Sequence, residues 1–180
     1  MSRWYALYSK PRCERKLAAA LEKKGFKAYL ALLAVRRQWS DRIKTIEIPA
    51  FPSYVFVYAT LPHDSLAIIK IPYCVSIVHV AGEPAEIASA DLDLLKLAIS
   101  EFAESLIIRD TATFSAGEKV RVKLGPFAGR EAIIGQIQGS THILIHFPAL
   151  SKTIQVRIPV EHVETLKEQL LQKKENLYPQ

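Results

Sequence analysis

Residues 117–134, GEKVRVKLGPFAGREAII, constrain the fold more than any other stretch of this chain. Val120, Val122 and Leu124 alternate with Arg121 and Lys123. A period of two marks a half-buried strand with one basic face. Gly125-Pro126-Phe127-Ala128-Gly129 then turns the chain, and Ala132-Ile133-Ile134 begins a second strand. Phe127 lies on the turn itself, where a ring is rarely buried, and is expected to be exposed. Two short strands around such a turn suit a small β-barrel that meets nucleic acid or another protein. The barrel continues on both sides of the turn. Residues 114 to about 166 read as five strands: 119–124, 131–137, 142–147, 152–158 and a short one near Val163.

The 113 residues before the barrel must form something else. Hydrophobic residues make up 49 % of the 180 and charged residues 23 %, which is ordinary for a globular protein. The charge is unevenly spread. Residues 1–50 carry 12 Lys and Arg against four Asp and Glu, whereas residues 51–113 carry three against eight. A basic N-terminal segment attracts phosphate backbones in a salt-dependent way, although a solvated basic face has the same composition. The two cysteines, Cys13 and Cys74, are too few for a disulfide framework and have no metal-ligand spacing around them. They read as free, partly buried thiols of a reducing cytoplasm. No signal-peptide pattern opens the chain, and no apolar run reaches the ~20 residues that a membrane helix needs.

Residues 3–9 read as a strand with Trp4, Ala6 and Tyr8 on one face and Tyr5 and Leu7 on the other. Pro11 opens a helix over 13–24, with Leu17 and Leu21 one turn apart and Gly25 as its stop. Residues 27–39 read as a strand running into a basic hairpin tip at 36–44. Residues 45–59 form the next strand, which Pro49 and Pro52 interrupt. A short helix over 62–70, a strand over 74–80 and a turn at 82–84 follow. Ser89 caps a helix that runs to about Glu104 on Leu92, Leu95, Leu97 and Ile99. This β-α-β-β-α-β-α order suits an antiparallel sheet with helices on one side, an α+β sandwich. Along residues 54–58, Val55 and Val57 share one face, and Tyr54, Phe56 and Tyr58 the other. The valines suit a core. The aromatic face needs cover from a partner or from the protein's own helices.

The 117–134 stretch is similar to the KOW motif. Phe51-Pro52-Ser53-Tyr54-Val55-Phe56-Val57 after a basic hairpin, together with Trp4-Tyr5-Ala6-Leu7-Tyr8, resembles the N-terminal domain of the NusG family. The resemblance covers about residues 3–167 in the family's order. It implies an α+β fold: a NusG-type antiparallel sheet with helices over 1–104, a linker over 105–113, a small SH3-like KOW β-barrel over 114–167 and a polar tail over 168–180. It also implies a transcription elongation factor that docks on the clamp helices of the largest RNA polymerase subunit and suppresses pausing. Tyr8, Phe51, Tyr54 and Phe56 fall where such a protein meets polymerase. Lys10, Arg12, Arg15 and Lys16 fall on the surface facing upstream or non-template DNA, and Lys70 and Tyr73 where a specialised member reads DNA. Phe127 becomes a contact of the KOW barrel with a small-subunit ribosomal protein or the termination factor Rho.

The general factor usually has glycine where this chain has Ser53, and it ends with the barrel. Those departures lean toward an operon-restricted paralogue of the RfaH or UpxY type acting in antitermination. An RfaH-type autoinhibited state would need an acid at the position of Ile48, so a refolding barrel is not expected. The alternatives are a general NusG that also serves Rho-dependent termination, and a KOW-type ribosomal RNA-binding protein. The five histidines are scattered, and no nucleophile or paired carboxylate stands at a recognisable spacing. The reading is therefore of a monomeric, non-enzymatic protein without cofactor, metal site or membrane partner.

Overall fold

The structure is a computed structural model that describes residues 1–39, 41–103, 106–110, 117, 119–123, 125, 127–129, 131–137, 140–147, 150–157 and 163–165. It falls into two compact units, 1–104 with 147–152, and 105–146 with 153–180.

In the first unit, β1 (Arg3–Ser9) is the central strand, and every residue from Trp4 to Leu7 is buried. It pairs antiparallel with β5 (Tyr54–Ala59), setting Trp4 opposite Tyr58, Ala6 opposite Phe56 and Tyr8 opposite Tyr54. β2 (Lys27–Tyr29) adds outside β5, and β6 (Cys74–Ile77) flanks β1 on its other side. Opposed residues of an antiparallel pair point the same way. The odd-numbered face of β1 and β5 therefore carries Tyr5, Leu7, Val55 and Val57. It packs on α1 (Glu14–Lys23) through Leu17 and Leu21, and on α2 (Ser65–Ile69) through Ile68. Each such buried aliphatic side chain contributes about 1.5–3 kcal/mol. α1 ends where expected. Gly25 adopts φ +86°, and the Gly25 and Phe26 N–H groups donate to the Glu22 and Leu21 carbonyls.

The even-numbered face is covered as well. α3 (Ser89–Phe102) buries Leu92, Leu95 and Ala98, and its Lys96 Nζ lies 5.9 Å from the Trp4 ring centroid and 5.4 Å from that of Tyr29. Burial under this helix pushes the Tyr29 hydroxyl up to about pKa 12. Helices thus flank both faces of the sheet, not one, because both sets of alternating side chains on β1 and β5 are apolar. Ala88 is the N-cap of α3 and Ser89 its first helical residue, with no side-chain cap.

Three expected strands are each broken in two, that over 74–80 at Val78. Residues 27–39 bend at Leu30 and Ala31, so that β3 (Leu32–Gln38) leaves the sheet. Residues 43–59 bend over 50–53, between β4 (Ile43–Pro49) and β5. β3 and β4 form their own two-stranded hairpin, and the Ala50 N–H donates to the Ala31 carbonyl at its root. Pro49 and Pro52 punctuate this exit, since neither can donate to a ladder. The unit also has a small hairpin of β7 (His79–Val80) and β8 (Glu83–Pro84). β9 (Glu86–Ile87) pairs with the start of β1.

The second unit is one six-stranded sheet. It contains β10 (Ile107–Asp110), β11 (Lys119–Val122), β12 (Glu131–Ile137), β13 (Ser140–Phe147), β14 (Lys152–Arg157) and β15 (Val163–Thr165), in the order β10-β14-β13-β12-β11-β15. This β-rich unit fits a KOW module, and among the described residues the path does not close on itself. Five strands were expected. The sixth, β10, lies within the segment read as a linker, so part of that segment belongs to the sheet. Of the rest of the expected linker, Leu106 is buried; 105, 111–113 and the tail 168–180 lie outside the described residues.

The turn of 123–130 corrects one expectation outright. Phe127 is 1 % exposed. The Gly129 N–H donates to the Val122 carbonyl at 2.7 Å and the Ala128 N–H to the Gly125 carbonyl at 3.0 Å, with both glycines at φ near +80°. These bonds fold the turn back onto β11. The ring is buried, as are Val120 and Val122 of β11. The argument that made Phe127 a partner contact rested on its exposure and goes with it. Among the described residues no helix is long and apolar enough to cross a membrane.

Candidate functional site

The aromatic face of β1 and β5 is not uniform along its length. At its centre Phe56 is fully buried, stacked on Tyr29 at 6.1 Å and met edge-on by Phe51 at 6.0 Å; Phe51 itself is 1 % exposed. Both phenylalanines were expected at a polymerase surface, and the structure buries them. Tyr8 and Tyr54 remain at one end, as a cross-strand pair with centroids 5.6 Å apart and rings nearly perpendicular. Tyr8 is 40 % exposed and Tyr54 half-buried. Edge-to-face pairs of this kind hold their rings in place, so the pair presents a preorganised aromatic surface.

The turn that delivers Tyr54 is fixed by a residue that sequence reasoning missed. Glu14 is buried, and its Oε1 accepts the Ser53 N–H at 2.8 Å. The Ser9 N–H donates to the Ser53 carbonyl at 2.8 Å and the Tyr54 N–H to the Phe51 carbonyl at 3.1 Å. Ser53 has φ +66°, the left-handed region that favours glycine. The family's usual glycine at this position thus has a physical reason, and here the Glu14 bond holds a serine in that conformation. A signal for Glu14 existed. It lies at i, i+3, i+7 with Leu17 and Leu21, an acid at the head of an apolar helical stripe. Glu14→Ala is expected to lower stability by about 1–3 kcal/mol, the cost of stranding the Ser53 N–H. Urea denaturation checks this. A change below ~0.5 kcal/mol would show that the bond does not hold the turn.

Beside the tyrosines the chain runs on into a basic cluster. The Lys10 N–H donates to the Tyr73 carbonyl at 2.9 Å, and Lys16 Nζ lies 5.6 Å from the Tyr73 ring centroid. Tyr73 has φ +74° and is about one-third exposed. Lys70 ends α2 three residues earlier and is exposed, as are Lys10 and Arg12. Tyr73, distant in sequence, is thus brought to Lys10 and Lys16. Arg15 differs from its neighbours. Its guanidinium pairs with Glu47 of β4 at 2.8 Å, tying α1 to the hairpin. An exposed pair of this kind contributes at most ~1 kcal/mol, yet it turns Arg15 away from a free phosphate contact.

Comparison with known proteins follows the same architecture. The family model described as transcription termination factor NusG matches residues 2–96. A solved structure concerned with domain interaction in Thermotoga maritima NusG is 19 % identical, covers 92 % of this chain and 98 % of its own, and superposes with a TM-score of 0.51. That likeness carries the fold. An Spt4:Spt5 complex, MjSpt4:Spt5 in its conformation B, is 20 % identical over 91 % of this chain and 96 % of its own, at a TM-score of 0.31. No curated protein matches the chain.

Proposed function

The chain belongs to the NusG family of transcription factors, a family without enzymatic activity, and we propose that this member acts on elongating RNA polymerase. In this reading Tyr8 and Tyr54 dock on the clamp helices of the largest subunit. Lys10, Arg12, Lys16, Lys70 and Tyr73 face upstream or non-template DNA. The effect is suppressed pausing and antitermination, in a bacterial cytoplasm.

The observation that carries this is the edge-to-face Tyr8–Tyr54 pair, with Tyr8 40 % exposed and Tyr54 half-buried, continuous through Ser9 with a basic cluster. Aromatic anchors on a firm base dominate protein interfaces, and cations around them suit phosphates. Tyr73, with a lysine over its ring, suits stacking on an unpaired base. The departure at Ser53 leans toward a specialised paralogue. With Phe127 buried, the barrel's partner surface, for a small-subunit ribosomal protein or Rho, is left without a named residue.

The test is elongation by purified polymerase on a template with defined pauses. Adding the protein is expected to shorten pause lifetimes. Lys10→Gln with Lys16→Gln should flatten the salt dependence of binding to the elongation complex by roughly one to two phosphate equivalents, without changing affinity for isolated clamp helices. Pause lifetimes unmoved at saturating protein would contradict the reading. More Rho-dependent termination would replace antitermination with the general form of the family.

A further inference from the structure

The β3–β4 hairpin carries a surface that the reading above does not use. Its register sets Val35 opposite Ile46, Arg36 opposite Thr45, Arg37 opposite Lys44 and Gln38 opposite Ile43. The Trp39 N–H donates to the Arg42 carbonyl at 2.8 Å, which carries the ladder one step further to the tip. Successive cross-strand pairs alternate between faces. Arg37 with Lys44, and Trp39 with Arg42, therefore lie on one face, beyond Val35 and Ile46. Like charges directly opposite each other destabilise a hairpin. Among the described residues neither Arg37 nor Lys44 has an ion-pair partner. Arg42 reaches only Asp41 at 3.9 Å, with both side chains 68 % exposed. Trp39 stands 54 % exposed at the end of this cationic pairing.

Three cations and a flat apolar ring on one face together define an occupant. An acidic peptide would satisfy the cations and leave the indole in water. A polynucleotide supplies phosphates and base faces together. Only unpaired bases can lie on a ring, so a single strand fits and a duplex does not. Phosphate and base-face contacts do not read the 2′-hydroxyl, so they make no choice between ribose and deoxyribose.

We propose that the face of the β3–β4 tip bearing Trp39 is a contact for single-stranded polynucleotide, with the indole stacked on a base and Arg37, Arg42 and Lys44 on adjacent phosphates. This goes beyond the polymerase reading and does not depend on it.

The chain has two tryptophans, Trp4 and Trp39, and Trp4 is buried. Quenching by an added strand therefore reports mainly on the tip. The full-length protein is titrated with oligothymidylate and oligouridylate of about 12 nucleotides, and with a duplex of the same length, at low salt. Both single strands are expected to quench emission with similar affinity, and the duplex to bind at least about tenfold more weakly. Trp39→Phe should still bind a labelled strand in an anisotropy assay but lose the quenching. Trp39→Ala should weaken binding by roughly tenfold or more. Arg37→Gln with Lys44→Gln should lower the salt slope by about one. Circular dichroism checks that the exposed tip variants keep the fold. Quenching that persists in Trp39→Phe, affinity unchanged in Trp39→Ala, or duplex binding as tight as single-strand binding would each overturn the proposal.

Discussion

Phe56→Ala is expected to lower the stability of the N-terminal unit by about 3–5 kcal/mol, and Phe51→Ala by a similar amount. Phe56 has no exposed surface and lies between Tyr29 and Phe51. Truncation removes a ring's worth of buried area and leaves a cavity that sheet and helix cannot both close. Domains commonly have only about 5–15 kcal/mol in hand, so either variant will be marginal at 37 °C. Urea denaturation followed by circular dichroism measures the loss. A loss below about 1 kcal/mol would mean that the rings are not packed as described. Weak polymerase binding by these variants would therefore report on folding first, and a clean test of the interface must use other residues.

Those residues are Tyr8 and Tyr54. Tyr8→Ala combined with Tyr54→Ala is expected to weaken binding to core polymerase by about 2–4 kcal/mol, roughly 30- to 1,000-fold. Much less folding stability should be lost, since Tyr8 is 40 % exposed and Tyr54 only half-buried. The two rings touch, so the single variants are not expected to sum to the double. Calorimetric titration against core polymerase, with thermal unfolding as the control, separates the two effects. Full affinity in the folded double variant would remove the tyrosines from the interface.

Much of this arrangement was legible in the sequence because it rests on short-range patterns. The alternation in β1 and β5, the Leu17–Leu21 stripe of α1 with its Gly25 stop, and the strands on either side of the 125–129 turn are set by local periodicity. What escaped depends on distant partners. Resemblance places Phe51 at the polymerase surface, and sharing a face with Tyr54 places Phe56 there; alternation tells which residues share a side and cannot decide whether a partner or the protein's own helices cover it. Phe127 read as exposed because turns usually are. The bonds from Gly129 and Ala128 that fold it inward are invisible to a pattern of residue types. The break at Leu30 and Ala31 carries no proline or glycine and shows only through the pairing of β2 with β5 and of β3 with β4. Of the site residues, Lys10 and Lys16 come from one segment and Tyr73 from another, and they meet. Arg15 was grouped with them by helical position, but its partner Glu47 lies 32 residues away.

The central claim is that the Tyr8–Tyr54 end of the sheet is the polymerase contact. The most direct measurement replaces Tyr54 with a photo-crosslinking phenylalanine analogue and maps the adduct formed with a purified elongation complex. The account predicts one dominant crosslink, in the clamp helices of the largest subunit, lost when excess unlabelled protein competes. A folded, transcriptionally active protein whose position 54 crosslinks elsewhere, or nowhere on polymerase, would contradict it.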